Sequence, residues 1–204
     1  MRRTKEDAEK TREDILNAAI RIFAEKGVAR STLNEIAKAA NVTRGAIYWH
    51  FENKTQVFEA LYERLHRPFV DMIMDDLHKD HPAPLEQLRD LCIKLLLDLE
   101  HDEEKRQALT LFLIKCDYSG ELAVLKDTHR KKKAESMKLF QRYFEKAKKT
   151  GKLPLEADPY LLAQSISCYM KGILIEYLDD ICGFNIREKA PKLIQLYFSS
   201  VVPH

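Results

Sequence analysis

Apolar residues recur at three- and four-residue spacing along almost the whole chain, and no stretch alternates with period two. The pattern predicts an all-α protein of about nine helices. Ile15, Ala18, Ala19, Ile22 and Phe23 form the buried stripe of a first helix, from about Lys10 to Lys26, with Gly27 as its C-cap. Leu33, Ile36, Ala37 and Ala40 form the stripe of a short second helix. Thr32 precedes it and Glu35 follows three residues later, a capping box that satisfies two orphan backbone donors. Asn41 tolerates left-handed backbone angles and turns the chain, Val42 fills the corner, and Thr43 caps a third helix with Ile47 and Phe51 facing inward.

The fourth helix opens at Asn53 and Lys54, with Val57, Phe58, Leu61 and Leu65 inward. Pro68 then bends or ends it, because proline has no amide donor and crowds the preceding turn. A break there would let this helix act as a lever. After the loop 78–84, Pro84 opens a fifth helix with a broad leucine face, and a sixth is apolar almost all round from Ala108 to Ile114. A long seventh is expected from Glu121 to Lys149, its basic run His129 to Lys133 read as a solvated face. An eighth follows Pro159 and ends at Gly183, and a ninth runs from Ile186 or Pro191 to Val201.

The third helix carries the chemistry. Once Ile47 and Phe51 face the core, Arg44, Gly45, Ala46, Tyr48, Trp49 and His50 are left for the outer side. Aromatic area exposed for solubility alone would be unusual, whereas a DNA groove uses aromatic edges and hydroxyls against sugar and phosphate. Arg44 lies in the first turn, where a helix entering a major groove meets base edges, and arginine pairs bidentately with guanine. Gly45 and Ala46 permit close approach and contact with a thymine methyl. Thr32, Thr43, Tyr48, Trp49, His50 and Lys54 are the expected phosphate contacts. Arg2, Arg3 and Lys5 precede the first apolar period and read either as a frayed terminus or as an arm toward phosphates or a minor groove.

The segment from Thr11 to Leu61 resembles the DNA-binding domain of the TetR family of bacterial transcription regulators. The resemblance is carried by Thr32-Leu33 with Ile36-Ala37, by the run from Val42 to Phe51 (VTRGAIYWHF), and by Asn53-Lys54. The wording of that run, and Ile114 to Leu122 beyond it, is similar to the AcrR-like repressors of multidrug efflux operons. The resemblance implies an N-terminal three-helix domain, residues 1–53. A larger helical ligand-binding and dimerisation domain, residues 54–204, would follow. It also implies a homodimer through the last two helices on a palindromic double-stranded operator, released when a lipophilic small molecule enters the C-terminal domain. The alternative is a TetR-type regulator answering to a metabolite, a metal or redox state.

Residues expected to line the ligand pocket are Leu65, Phe69, Leu88, Leu91, Cys92, Leu95, Leu109, Phe112, Leu113, Phe140 and Met170, a deformable mix of leucine, aromatic and sulfur side chains. The apolar residues of the ninth helix wrap around it, so a second face needs cover, which a two-fold partner would give.

Composition adds little to the DNA reading. Residues 1–56 hold 11 Lys+Arg against 8 Asp+Glu and the rest 23 against 24, so the head is only mildly basic and the motif carries the inference. No nucleotide-binding glycine loop, nucleophile elbow or zinc-protease motif occurs, and the reading is of a non-enzyme without cofactor or metal. Asp75, Asp76, His78, Asp80 and His81 are read as a solvated charge cluster. Cys92, Cys116, Cys168 and Cys182 form no close pair and are expected to be reduced core residues. The charged start and the lack of a long apolar run point to a soluble, cytoplasmic protein.

Overall fold

The computed structural model describes residues 5–79, 81–180 and 183–201, and among these the regular structure is all helical, with no strand. Nine α-helices follow in order: α1 (Lys5–Lys26), α2 (Leu33–Ala39), α3 (Arg44–His50), α4 (Lys54–Leu77), α5 (Pro84–Leu97), α6 (Glu103–Thr110), α7 (Lys126–Lys149), α8 (Pro159–Asp179) and α9 (Ile186–Val201). Arg2, Arg3, Asp80 and Cys182 lie outside the described residues.

Helix ends depart from expectation in five places, each with a local cause. α1 begins at Lys5, where Glu6 and Asp7 in its first turn complement the helix dipole. α4 passes through Pro68 to Leu77: the lost backbone bond is outweighed by burial of Ile73 and Leu77 beyond it, each worth about 1.5–3 kcal/mol. The sixth helix changes after Thr110 into a π-helical turn, Leu111–Lys115, and ends at an extended Cys116. Gly120–Leu125 is a 3-10 helix, so α7 starts at Lys126; Leu122 and Leu125, three apart, share one side of that tighter helix and are buried. α8 closes on Asp180 in the left-handed region at φ 46, before Gly183 is reached, and α9 starts at Ile186 with Pro191 inside it.

The chain forms two compact units, Met1–His66 with Glu104–Lys126, and Arg67–Glu103 with Asp127–His204. These do not coincide with residues 1–53 and 54–204. In the first unit, Ile15, Leu16 and Phe23 of α1 share a core with Leu33, Ile36, Ile47, Val57, Phe58 and Leu61, and the returning segment adds Ala108, Leu111, Leu122 and Leu125. The helix-turn-helix is therefore seated on a core to which residues 104–126 contribute. The α1–α4 pairing is closed by Arg64, whose guanidinium donates to Asn17 Oδ1 (2.6 Å) and Glu13 Oε2 (3.0 Å).

In the second unit, Leu88, Cys92 and Leu96 of α5, Tyr143, Phe144 and Ala147 of α7, Ala163 and Ile166 of α8 and Ala190 and Ile194 of α9 are fully buried. Polar groups close the end of α4: the Tyr143 hydroxyl donates to Asp76 Oδ2 (2.8 Å), Lys146 donates to the Leu77 carbonyl (3.1 Å), and the Gln87 amide donates to the Asp76 carbonyl. The lysine and the glutamine satisfy backbone carbonyls that a helix end otherwise leaves without partners.

Candidate nucleic-acid interface

Two capped helices set the outer face. Thr32 Oγ1 accepts from the Glu35 amide (3.2 Å) while Glu35 Oε2 accepts from the Thr32 amide (2.9 Å) and hydroxyl (3.0 Å), so the predicted capping box is formed. Lys26 adds an ion pair to Glu35 at 2.8 Å, and this donor, with the threonine, holds the carboxyl below the usual carboxylate range. Asn41 sits at φ 53, the left-handed turn expected of it. Thr43 Oγ1 accepts from the Ala46 amide at 3.1 Å and starts α3.

The two threonine hydroxyls differ in what they have left to donate. Thr32 directs its hydroxyl proton at Glu35. Thr43 spends a lone pair on its cap, which leaves its O–H free to donate to an anion.

α3 is fixed from beneath and open above. Ile47 is fully buried and Phe51 nearly so, with the Arg12 guanidinium 5.6 Å over the Phe51 ring. On the other side Trp49 is 73 % exposed and Tyr48 45 %. The Arg44 guanidinium lies 5.5 Å over the Tyr48 ring, a cation–π contact that pre-orients the arginine along the exposed side. Gly45 is exposed, and a Cβ there would meet only Thr43 Oγ1, at 3.9 Å. Ala46 and His50 are half-buried, and the His50 ring stands edge-on to Trp49 at 4.5 Å. The structure thus gathers Thr43, Arg44, Gly45, Tyr48 and Trp49 on one accessible side, with Ala46 and His50 at its margin.

Lys54 is engaged within its own unit. Its ammonium donates to the carbonyls of Val28 (2.9 Å) and Ala29 (3.1 Å) and pairs with Glu121 at 2.6 Å, with its side chain only 17 % exposed. Three donors meet three protein acceptors, so with Glu121 in place Lys54 is a staple within its unit. No sequence signal pointed to Glu121, which lies in a different stretch of the chain. The start of α4 is capped by Asn53, whose Oδ1 accepts from the Gln56 amide at 2.9 Å.

The expected pocket residues divide between the units. Leu65 and Phe112 pack on the core of the first, where the Phe112 ring stands edge-on to Phe58 (4.9 Å) and Tyr62 (5.4 Å); Leu109 and Leu113 are half-buried. Burial raises the pKa of the Tyr62 hydroxyl, and pushes the Cys116 thiol up to about 11. In the second unit Leu88, Leu91, Cys92, Leu95, Phe140 and Met170 are buried, and Phe69 lies 6.1 Å from Phe140.

α8 and α9 are joined by stacked Tyr169 and Tyr197 rings (5.4 Å), by a Ser165–Tyr197 hydroxyl hydrogen bond and by Tyr169 donating to the Leu193 carbonyl (3.0 Å). Their outer sides carry exposed apolar residues, Leu161 at 61 % and Leu196 at 64 %. Cys168 is exposed on α8, a correction to its expected place in the core, and Cys116 is half-buried; Cys92 is buried as expected.

Among the described residues no group of three metal-capable side chains occurs, and Asp76 of the acidic cluster is engaged by Tyr143 and Lys79. No helix described is long and apolar enough to cross a membrane.

Comparison with known proteins bears on this face. A profile described as bacterial regulatory proteins, tetR family, matches residues 15–61, and one described as MAATS-type transcriptional repressor, C-terminal region, matches residues 83–202. The HTH-type transcriptional repressor BepR of Brucella suis biovar 1 (strain 1330) is 35% identical over 201 residues, 98% of this chain and 96% of that protein. The structure of NalD, the secondary repressor of the MexAB-OprM multidrug efflux pump in Pseudomonas aeruginosa, is 32% identical with a TM-score of 0.84, covering 97% of this chain and 98% of that one. A complex of SmeT with triclosan gives the same TM-score at 29% identity, over 95% of this chain and 92% of that chain; SmeT is the repressor of the Stenotrophomonas maltophilia multidrug efflux pump SmeDEF.

Proposed function

Because the chain belongs to the TetR family of bacterial regulatory proteins, we propose that it is a ligand-responsive repressor of a multidrug efflux operon, bound as a homodimer to a palindromic operator. The observation that carries this is the α3 surface: a helix bolted down by Ile47 and Phe51 that presents Arg44 and a 73 % exposed Trp49 outward. Arg44 reads a base edge, Gly45 and Ala46 allow the backbone near the groove, and Thr43, Tyr48, Trp49 and His50 hold sugar and phosphate. Thr32 serves chiefly by fixing α2.

Dimerisation uses the outer sides of α8 and α9, whose exposed Leu161 and Leu196 would be covered by the two-fold mate. Two recognition helices about 34–36 Å apart then meet successive major grooves. The inducer is lipophilic and is received by the C-terminal region, residues 54–204, while residues 1–53 read the operator. Relatives that repress efflux pumps, and the SmeT complex with triclosan, support this ligand class. The protein works in the cytoplasm, where its operator lies. A ligand that discriminates the two DNA-binding states by about 1–3 kcal/mol changes operator affinity about 5- to 150-fold.

The test is selection of bound duplexes from a random pool, repeated with a panel of lipophilic drugs. A palindromic sequence recovered without drug and lost with at least one drug is the expected result. Recovery of no preferred sequence would refute the operator, and indifference to every compound would refute the inducer class.

A further inference from the structure

The three protein acceptors of Lys54 are not equivalent. The Val28 and Ala29 carbonyls belong to the turn between α1 and α2, which is itself tied down: the Ser31 hydroxyl donates to the Gly27 carbonyl (2.6 Å) and the Ser31 amide to the Val28 carbonyl (3.2 Å). They hold the ammonium at one place beside the helix-turn-helix. The third acceptor, Glu121, lies on the water side, its side chain 41 % exposed against 17 % for Lys54. It is the acceptor that another anion can replace.

Glu121 is delivered to that place by packing. Its neighbours Leu122 and Leu125 are in the core of the same unit, and Tyr118 stands edge-on to Phe58, one turn along α4 from Lys54. A carboxylate beside a DNA-reading face repels phosphate, so its presence opposes binding unless it does something else. What it does chemically is present an anionic oxygen to the α4 lysine at 2.6 Å, as a phosphate oxygen would.

We propose that Glu121 is an internal substitute for an operator phosphate on Lys54, so that operator affinity depends on which of the two anions the ammonium holds. This rests on the DNA-binding reading above. Glu121 acts through Lys54 and is a positioning residue. The same segment carries Phe112, packed on Phe58 and Tyr62, so a displacement of Phe112 is felt along the chain that supplies the carboxylate.

The experiment measures binding of a fluorescent duplex by the full chain, between 50 and 200 mM salt, for wild type, Glu121→Gln, Lys54→Gln and the double variant, with thermal melts of each. Glu121→Gln is expected to tighten binding at 50 mM about two- to fivefold, the range of one partly exposed ion pair. Its advantage should shrink toward wild type by 200 mM, because salt screens the partly exposed pair that competes for the ammonium, so the variant's salt slope is the steeper. In the Lys54→Gln background the same change should tighten binding clearly less, leaving only the removal of one negative charge. Unchanged affinity and slope in Glu121→Gln would overturn the proposal, as would equal tightening with and without Lys54, which would be general charge removal. Should Glu121→Gln melt early, Glu121→Asp decides: it keeps the charge and should bind as wild type, and tightening in it overturns the proposal. A wild type that binds no duplex even at 50 mM refutes the DNA-binding reading itself and the substitution with it.

Discussion

Gly45→Ala separates what α3 needs for folding from what it needs for function. Gly45 lies in the first turn of α3, and its φ is not in the left-handed region where a side chain would be strained. The added methyl would meet only Thr43 Oγ1, at 3.9 Å, an ordinary van der Waals separation. Nothing in the fold resists it, and alanine is the better helix former by about 0.5–1 kcal/mol. For a chain of this size that raises Tm by roughly 1–4 °C. On the DNA side the methyl points away from the core, beside Arg44, where the backbone is to approach a base pair. Displacing one base contact costs about 1–3 kcal/mol, or roughly 5- to 150-fold in affinity. The two effects have opposite signs, so loss of DNA binding cannot be blamed on misfolding. Melting by circular dichroism and titration of the selected operator, at one fixed salt concentration, measure both. A variant that is more stable yet binds its operator unchanged would refute close approach at Gly45, and a less stable one would refute the helical accounting.

Arg44→Ala should weaken operator binding by about 1–3 kcal/mol and relax preference at one base pair, read by repeating the selection with the variant; retained preference at every position would remove Arg44 from base readout. Glu35→Gln tests the capping box through pH. The folded carboxyl is held below its ordinary value, so its stabilisation is present above that value and is lost as pH falls through the lowered one; wild type should melt above the variant near neutrality and converge with it in acid. A gap that widens in acid would reverse that sign. Leu161→Asp with Leu196→Asp should leave helical content intact while shifting sedimentation from dimer to monomer, because a two-fold interface would bury each charge twice; a dimer that persists would place the interface elsewhere.

What could be read from sequence was what is local. Thr32 and Glu35, Asn41, Thr43 and the pair Ile47 and Phe51 interact within one turn or one corner, and each took its expected role. The partners of Lys54 are not legible in sequence, because its ammonium is held by residues 28, 29 and 121, none adjacent to it in the chain. The same non-local packing placed residues 104–126 on the helix-turn-helix core, so the compact units cross the expected boundary at Lys54. The π-helical turn at Leu111–Lys115 was invisible because an all-round apolar stretch carries no period to distinguish one helix type from another. Cys168 has apolar neighbours in sequence but lies opposite the side of α8 that buries Ala163, Ile166, Met170 and Ile173.

Helix α4 keeps its 24 residues in one piece although Pro68 removes the rung from its amide to the carbonyl four residues earlier. Such a rod can bend but cannot shorten, so what it conveys is an angle and not a displacement along its axis. From Pro68 back to Lys54 is about 21 Å at the rise of an α-helix, and a tilt of only about 5° there swings the far end by about 2 Å. That sweep is comparable to the difference between a made and a broken hydrogen bond. One missing rung is thus a point at which this helix can flex without being broken, and its place in the chain, fourteen residues after Lys54, sets the length of the arm on that side.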